Sequence, residues 1–168
     1  FKPLQWLVSV YIEVLRGTPI LLQLYVFYFV LPSVLPFLKL SQFMWVSIAL
    51  CVNSSAYVSE VIRSGIQAVD KGQMEAARSL GFNKRQAMTN IIFPQALKNI
   101  LPALGNEFVS VIKESSQVSI IGLAELMYIT TTVRSISFRS FEPLLIVSIL
   151  YFIHERHSLP SSLISEAA

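Results

Sequence analysis

Apolar runs of membrane-crossing length alternate with short polar links along the chain. One uncharged run extends from Ile20 to Leu38, and a second extends from Phe43 to Ile62. Because about 20 apolar residues cover the hydrocarbon of a bilayer, each run predicts one transmembrane helix. We expect Thr18 to cap the first helix and Pro19 to lie in its first turn. The link 39–42 is so short that the two helices should be antiparallel neighbours.

Two further apolar stretches lie in the second half of the chain. The stretch 100–121 is long enough to cross but carries three charged residues, so it should face protein or water rather than lipid. The stretch 144–153 is too short to cross and ends in a polar His-Glu-Arg-His cluster, so it is either truncated or not a span. The pattern as a whole predicts an all-α, polytopic integral membrane helix bundle.

Composition supports a membrane protein and narrows its chemistry. Hydrophobic residues make up 54% of the 168 residues and charged residues 14%, whereas about a quarter of the residues in soluble domains are charged. The single cysteine excludes a disulfide scaffold or a multi-cysteine metal site. No nucleotide-binding glycine motif and no catalytic constellation occurs, so we predict no catalytic, cofactor or metal residues and no enzyme activity in this chain.

A polar segment, 67–99, separates the second and third candidate spans. It is basic, and the positive-inside rule therefore places it in the cytoplasm. The net charge of +3 then reflects membrane topology and gives no reason to expect nucleic acid as a partner.

The polar segment predicts two short helices. Residues 72–80 are mostly good helix formers followed by Gly81, and Asn83 with Gln86 forms a capping-box pattern for a helix bounded by Pro94. A solvated hairpin and a docking element both fit this pattern. A DNA-binding helix-turn-helix is disfavoured, because a unit held between membrane helices could not approach a duplex freely and carries few phosphate contacts.

The docking interpretation rests on a family resemblance. The segment Glu75-Ala76-Ala77, then Gly81 after three residues, then Ile91-Ile92-Phe93-Pro94 after nine more, resembles the EAA loop of ABC importer permease subunits, with Phe93 in place of the usual Leu. Further segments are similar to the polar amino-acid subfamily, namely 13–19, 56–60, 72–77, 94–97 and 101–107. The resemblance extends from about residue 1 to residue 150.

The resemblance implies a permease subunit of an ATP-driven ABC importer for polar amino acids, with the importer transmembrane-domain fold over residues 1–153. The expected location is the bacterial cytoplasmic membrane, crossed several times. The expected partners are ABC ATPase subunits that hold ATP and Mg, a second permease subunit as homodimer or heterodimer, an extracytoplasmic solute-binding protein and membrane lipid. A membrane scaffold or a passive channel without ATP coupling is the alternative.

Two features depart from the family. The chain opens at Phe1 without a leader, so we expect a fragment that lacks the first helix. The tail 154–168 is polar and serine-rich where the family would continue the last span.

The same resemblance implies a coupling role for four residues of the loop. Glu75, Ala76 and Ala77 would lie against an ATPase, the alanines allowing close approach and the glutamate offering a charge. Gly81 would supply a tight reversal, because a residue without a β-carbon adopts positive φ at little cost.

Polar residues on two of the candidate spans fall on narrow faces and predict a substrate path. At about 100° per residue, an arc of roughly 120° holds most of the polar side chains of the third candidate span, and a second narrow arc lies on the second span. The candidate path residues are Asn53, Glu60, Asn106, Glu107, Ser110, Lys113 and Glu114. Structural hydrogen bonds and ion pairs between helices are an equally weighted alternative. The arc on the third span assumes an unbroken helix through Ser115 and Ser116.

Overall fold

The computed structural model describes residues 2–158, and within them every regular element is helical. The α-helices are α1 (Lys2–Gly17), α2 (Ile20–Tyr25), α3 (Leu31–Val34), α4 (Gln42–Gln67), α5 (Lys71–Ser79), α6 (Lys84–Ala87), α7 (Phe93–Ser115), α8 (Leu126–Ser137) and α9 (Phe141–Ser158). The segments Val26–Val30 and Met88–Ile92 are π-helical, and Pro36–Leu38 and Ser116–Ile121 are 3₁₀-helical. The all-α prediction is confirmed.

The chain forms two compact units. Among the described residues, one unit contains those up to Ala56 together with those from Phe108 to Ser158, and the other is Tyr57–Glu107. The first unit has an apolar core formed by Leu24, Val46, Ala49, Val118 and Ile121. This core brings α2, α4 and the 3₁₀ segment after α7 into contact.

The first predicted span is shorter than expected. Helical structure begins at Ile20 but stops at Val34, because Leu35 precedes a proline and has φ −119° and ψ 54°. Thr18 does not cap this helix: its hydroxyl donates to the carbonyl of Val14, 2.8 Å away, and Pro19 occupies the N-cap position.

The second predicted span coincides with one continuous helix, α4, which is longer than expected. In residues 2–158, α4 is the one helix that is by itself long and apolar enough to cross a bilayer. A second candidate crossing is a broken one, in which α1 and the helical segment Ile20–Val34 meet at a bend of 104°.

The third predicted span has different limits at both ends. Pro94 does not end a helix: the π-helical segment Met88–Ile92 leads directly into α7, and its wider turn accommodates the missing N–H and the ring of Pro94. At the other end α7 stops at Ser115. There the hydroxyls of Ser115, Ser116 and Ser119 donate to carbonyls three residues earlier, at 2.6–2.7 Å, and compete with α-helical bonding.

The last helix is longer than the apolar run that predicted it. It begins at Phe141 and continues past Ile153 to Ser158, so the first residues of the predicted tail are helical. Residues 159–168, the rest of that tail, lie outside the described part of the chain. The sequence analysis did not predict α1 or α8.

Candidate coupling loop and translocation path

The first helix of the loop begins at a capped aspartate. The Asp70 carboxylate accepts a hydrogen bond of 2.6 Å from the backbone N–H of Gly72, at the N-terminus of α5. A β-carbon on Gly72 would lie 2.8 Å from that same carboxylate oxygen. The absence of a side chain at Gly72 therefore leaves room for the cap.

The end of α5 is a glycine-dependent reversal. Gly81 has φ +90°, and the N–H of Phe82 donates to the carbonyl of Ala77 while the N–H of Gly81 donates to that of Arg78. These two bonds are the Schellman pattern, which requires a left-handed residue after the C-cap. The prediction that Gly81 takes positive φ is confirmed.

The second helix of the loop begins with the predicted capping box. The Asn83 side chain accepts from the N–H of Gln86 at 2.9 Å, and the Gln86 side chain accepts from the N–H of Asn83 at 3.0 Å. Gln95, at the start of α7, ties this segment to α5 because its amide donates to Gln73 Oε1 at 3.2 Å. The loop thus consists of α5 and the helical stretch that begins at Lys84. Both are capped, and the bond from Gln95 to Gln73 joins them.

The EAA residues do not share one surface. Glu75 and Ala76 are exposed, whereas Ala77 is 1% exposed and packs inside the unit. Helix α5 packs against the segment 84–92, and the small side chain of Ala77 serves this contact within the chain. Of the two alanines that were expected to face a partner, Ala76 is therefore the one that is accessible.

A cleft of about 530 Å³ lies at the base of the loop. Its lining is largely apolar and includes Ile66, Met74, Met88 and Ile92, with Lys71 and Asp70 beside them. Methionine side chains adapt to irregular shapes, so the cleft can accept an apolar group of varied outline.

The candidate path residues of the third span all lie on α7. Asn106, Ser110 and Lys113 are exposed, and Glu107 and Glu114 are half-buried. Val109, which lies beside this arc, is buried, and Phe108, on the opposite side of the helix, is exposed. The helix is α-helical throughout this stretch, so the spacing that defines the arc applies to all five residues.

One of these residues has a partner that the sequence analysis did not identify. Lys113 Nζ lies 2.8 Å from Glu155 Oε1 on α9. Both side chains are partly exposed, so the pair is accessible to a solute. The sequence analysis treated Glu155 only as part of an end-of-span polar cluster.

Asn53 is bonded inside the protein. It is 3% exposed, and its amide donates to Gln23 Oε1 at 3.0 Å. The Gln23 amide in turn donates to the Leu15 carbonyl at 2.8 Å and to the Thr18 hydroxyl at 2.9 Å. This arrangement favours the structural interpretation of Asn53, as an inter-helix hydrogen bond, over contact with substrate.

Glu60 pairs with a cation on its own helix. Arg63, one turn later on α4, donates to both carboxylate oxygens of Glu60 and also to Gln67 Oε1 at 3.1 Å. This local pair satisfies much of the hydrogen-bonding capacity of Glu60.

Gln23 is the polar residue that the sequence analysis passed over. It occurs within the first apolar run, where an amide is costly unless it is bonded, and this is the signal that could have identified it. Its bond to Asn53 joins residues 30 positions apart, and no local pattern predicts such a pairing.

Comparison with known proteins gives consistent matches along almost the whole chain. The model of the family described as binding-protein-dependent transport system inner membrane component matches residues 1–154. The chain is 44% identical over 153 residues to the arginine transport system permease protein ArtQ of Bacillus subtilis, covering 91% of this chain and 69% of that protein. It is 45% identical over 153 residues to the probable glutamine ABC transporter permease protein GlnM of the same organism, covering 91% and 70%.

A solved structure agrees with these relatives. The crystal structure of an amino acid ABC transporter with histidines superposes with a TM-score of 0.87 at 48% identity, covering 98% of this chain and 75% of that chain. The family resemblance and the fold class agree with these matches. The chain therefore belongs to the family of binding-protein-dependent transport system inner membrane components.

Proposed function

We propose that this chain is the permease subunit of an ATP-driven importer for polar amino acids in the bacterial cytoplasmic membrane. It crosses the bilayer several times and forms the translocation path with a second permease subunit, identical or related. ATP and Mg bind in separate ATPase subunits, and an extracytoplasmic binding protein delivers the solute. The names of the relatives, which refer to arginine, glutamine and amino acids, support the substrate class.

The observation that carries this proposal is the construction of the coupling loop. Its two helices are capped at Asp70 and Asn83 and joined through the left-handed Gly81. Because hydrogen bonds cap both ends of α5 and the N-terminus of α6, we expect the two helices to move together as one rigid body. It presents Glu75 and Ala76 on its surface, where an ATPase groove can contact them.

The polar face of α7 supports a path for a zwitterion. Glu107 and Glu114 offer carboxylates to an α-ammonium group, and Lys113 offers an ammonium to a carboxylate. The pair between Lys113 and Glu155 would have to open for Lys113 to bind solute, so Glu155 competes with the solute carboxylate.

Reconstitution tests the function directly. The permease, its ATPase and its binding protein are placed in liposomes, and ATP hydrolysis is measured with single amino acids supplied on the binding-protein side. We expect one or a few polar amino acids to stimulate hydrolysis and to accumulate on the ATPase side. Solute flux without ATP would support a passive channel, and a stable complex without flux would support a scaffold.

A further inference from the structure

The first helix, α1, carries a narrow polar stripe. At about 100° per residue, its polar side chains fall within an arc of about 80°. They are Lys2, Gln5, Ser9, Glu13 and Arg16. The remaining two-thirds or more of the helix circumference is apolar, which is typical of helices that lie at a boundary between water and an apolar phase.

The chain itself covers only part of that apolar surface. Leu15 is buried, and the Tyr11 hydroxyl lies 2.6 Å from Ser55 Oγ and 3.2 Å from the Val52 carbonyl on α4. Ile12 is half-buried, and the other large side chains are exposed, with Trp6 at 66% and Leu7 at 57%. One side of α1 therefore packs on α4, and the adjoining apolar side has no cover from residues 2–158.

The direction of α1 is held by buried hydrogen bonds. The Gln23 amide bonds the carbonyls of Leu15 and Thr18 at the end of α1, and Asn53 on α4 bonds Gln23. These groups keep the bend of 104° between α1 and the helical segment Ile20–Val34. That segment belongs to the apolar run that the sequence predicts to cross the bilayer. A helix turned by this angle from a crossing segment would lie along the bilayer surface.

We propose that α1 is an interfacial helix that lies in the cytoplasmic leaflet of the membrane, with its exposed apolar side among the phospholipid acyl chains. Trp6 would lie at the level where headgroups meet hydrocarbon, the depth that tryptophan prefers. The polar stripe would face the cytoplasm, with Lys2 close to anionic headgroups. The occupant of the uncovered surface is thus phospholipid and not a second protein.

Tryptophan fluorescence measures the depth of α1 directly. The chain has two tryptophans, so Trp45→Phe leaves Trp6 as its one reporter and Trp6→Phe leaves Trp45, which is 4% exposed. The emission of the variant with both substitutions is subtracted to remove tryptophans of the other subunits. The assembled transporter is reconstituted in phosphatidylethanolamine–phosphatidylglycerol vesicles containing brominated phosphatidylcholine. We expect Trp6 emission to be quenched strongly by bromine near the headgroup end of the chains and weakly by bromine near their methyl ends. Trp45 should be quenched weakly by both.

Two charged variants complete the test. Leu7→Glu places a carboxylate on the side assigned to lipid, and Ser9→Glu places the same group on the polar stripe. Leu7→Glu should reduce the quenching of Trp6, and Ser9→Glu should leave it unchanged. Strongest quenching near the methyl ends would mean that α1 crosses the bilayer, and no quenching would mean that protein covers it; either result overturns the proposal.

A spin label provides an independent measurement if the tryptophan variants assemble poorly. Cys51 is the one cysteine, so Cys51→Ser with Trp6→Cys accepts a single label. Its accessibility to oxygen and to a water-soluble nickel chelate should indicate a shallow position in lipid. A label accessible to neither reagent would overturn the proposal.

Discussion

Gly65 allows a contact between α4 and α7 that no larger residue permits. A β-carbon at this position would lie 2.4 Å from Cγ1 of Ile100, which is 3% exposed. Both residues belong to the unit Tyr57–Glu107, which also contains the coupling loop. Packing in the unit that contains the coupling loop therefore requires a residue without a side chain at position 65.

We expect Gly65→Ala to destabilise the protein by about 1–3 kcal/mol, the usual cost of overpacking a filled core. Ile100→Ala should recover part of that loss in the double variant, because it removes the atoms that the new methyl group meets. Thermal unfolding of the purified protein in detergent measures both effects. Gly17→Ala is the control, since nothing lies within 4 Å of a β-carbon there. Equal losses at the two glycines would contradict the packing argument.

Gly81 is required for its backbone conformation and not for space. Apart from its chain neighbours, no atom of residues 2–158 lies within 4 Å of a β-carbon built on it, but its φ is +90°. An L-residue in the left-handed region costs about 1–2 kcal/mol, and a β-branched one is disfavoured further. Asparagine tolerates the region best among residues with a side chain.

Coupled ATP hydrolysis should therefore fall in the order Gly81, Gly81→Asn, Gly81→Val. A cost near 1.4 kcal/mol corresponds to a roughly tenfold lower ratio of the native loop conformation to its alternatives. The amount of permease in the membrane should stay unchanged, because the substitution is confined to a surface turn. Normal substrate-stimulated hydrolysis in Gly81→Val would count against the coupling role of the loop.

At the scale of elements, the bend between α1 and α2 depends on one buried amide pair. Gln23 and Asn53 are 7% and 3% exposed. The Asn53 amide donates to Gln23, and the Gln23 amide in turn donates to the Leu15 carbonyl at the end of α1. Removing one partner leaves a buried polar group without its bond, which costs about 1–3 kcal/mol.

Gln23→Leu and Asn53→Leu should each lower the thermal stability of the protein. The double variant should be less destabilised than the sum of the two, because the shared hydrogen bond is lost once. Gln5→Leu is the control, because Gln5 lies on the exposed polar stripe of α1 and takes no part in this hydrogen-bond network. Additive losses would show that the two amides act independently.

The sequence predicted elements well where a local signal governs them. The capping box at Asn83, the left-handed Gly81 and the long apolar run of α4 all depend on neighbouring residues. Its errors at Pro94 and Ser115 arose where helix type changes. Before Pro94 a π-helical segment keeps the chain helical where an end was predicted, and after Ser115 a 3₁₀ segment replaces the α-helix that was predicted to continue.

The candidate site residues likewise divide into those that a local sequence signal predicts and those that it does not. The four residues to which the sequence assigns a coupling role follow a spaced motif, so a local pattern predicts them, and only the structure shows that Ala77 is buried. The partners Gln23 for Asn53 and Glu155 for Lys113 lie 30 and 42 positions away. Pairings of that kind depend on how helices pack, and one sequence contains no local signal for them.

At the scale of the whole molecule, coupling to an ATPase requires the coupling loop to lie on the side of the membrane where ATP is hydrolysed. The basic segment 67–99 indicates the cytoplasm, and the short link 39–42 then lies on the opposite side. An ATPase should reach the first and not the second.

Crosslinking to the ATPase tests this claim most directly. In a Cys51→Ser background, Ala76→Cys places a thiol on the exposed surface of α5 and Ser41→Cys places one in the 39–42 link. With a short bismaleimide and the assembled transporter, we expect Ala76→Cys to form a covalent adduct with the ATPase subunit and Ser41→Cys to form none. An adduct at Ser41→Cys, or no adduct at Ala76→Cys in an assembled and active complex, would contradict the account.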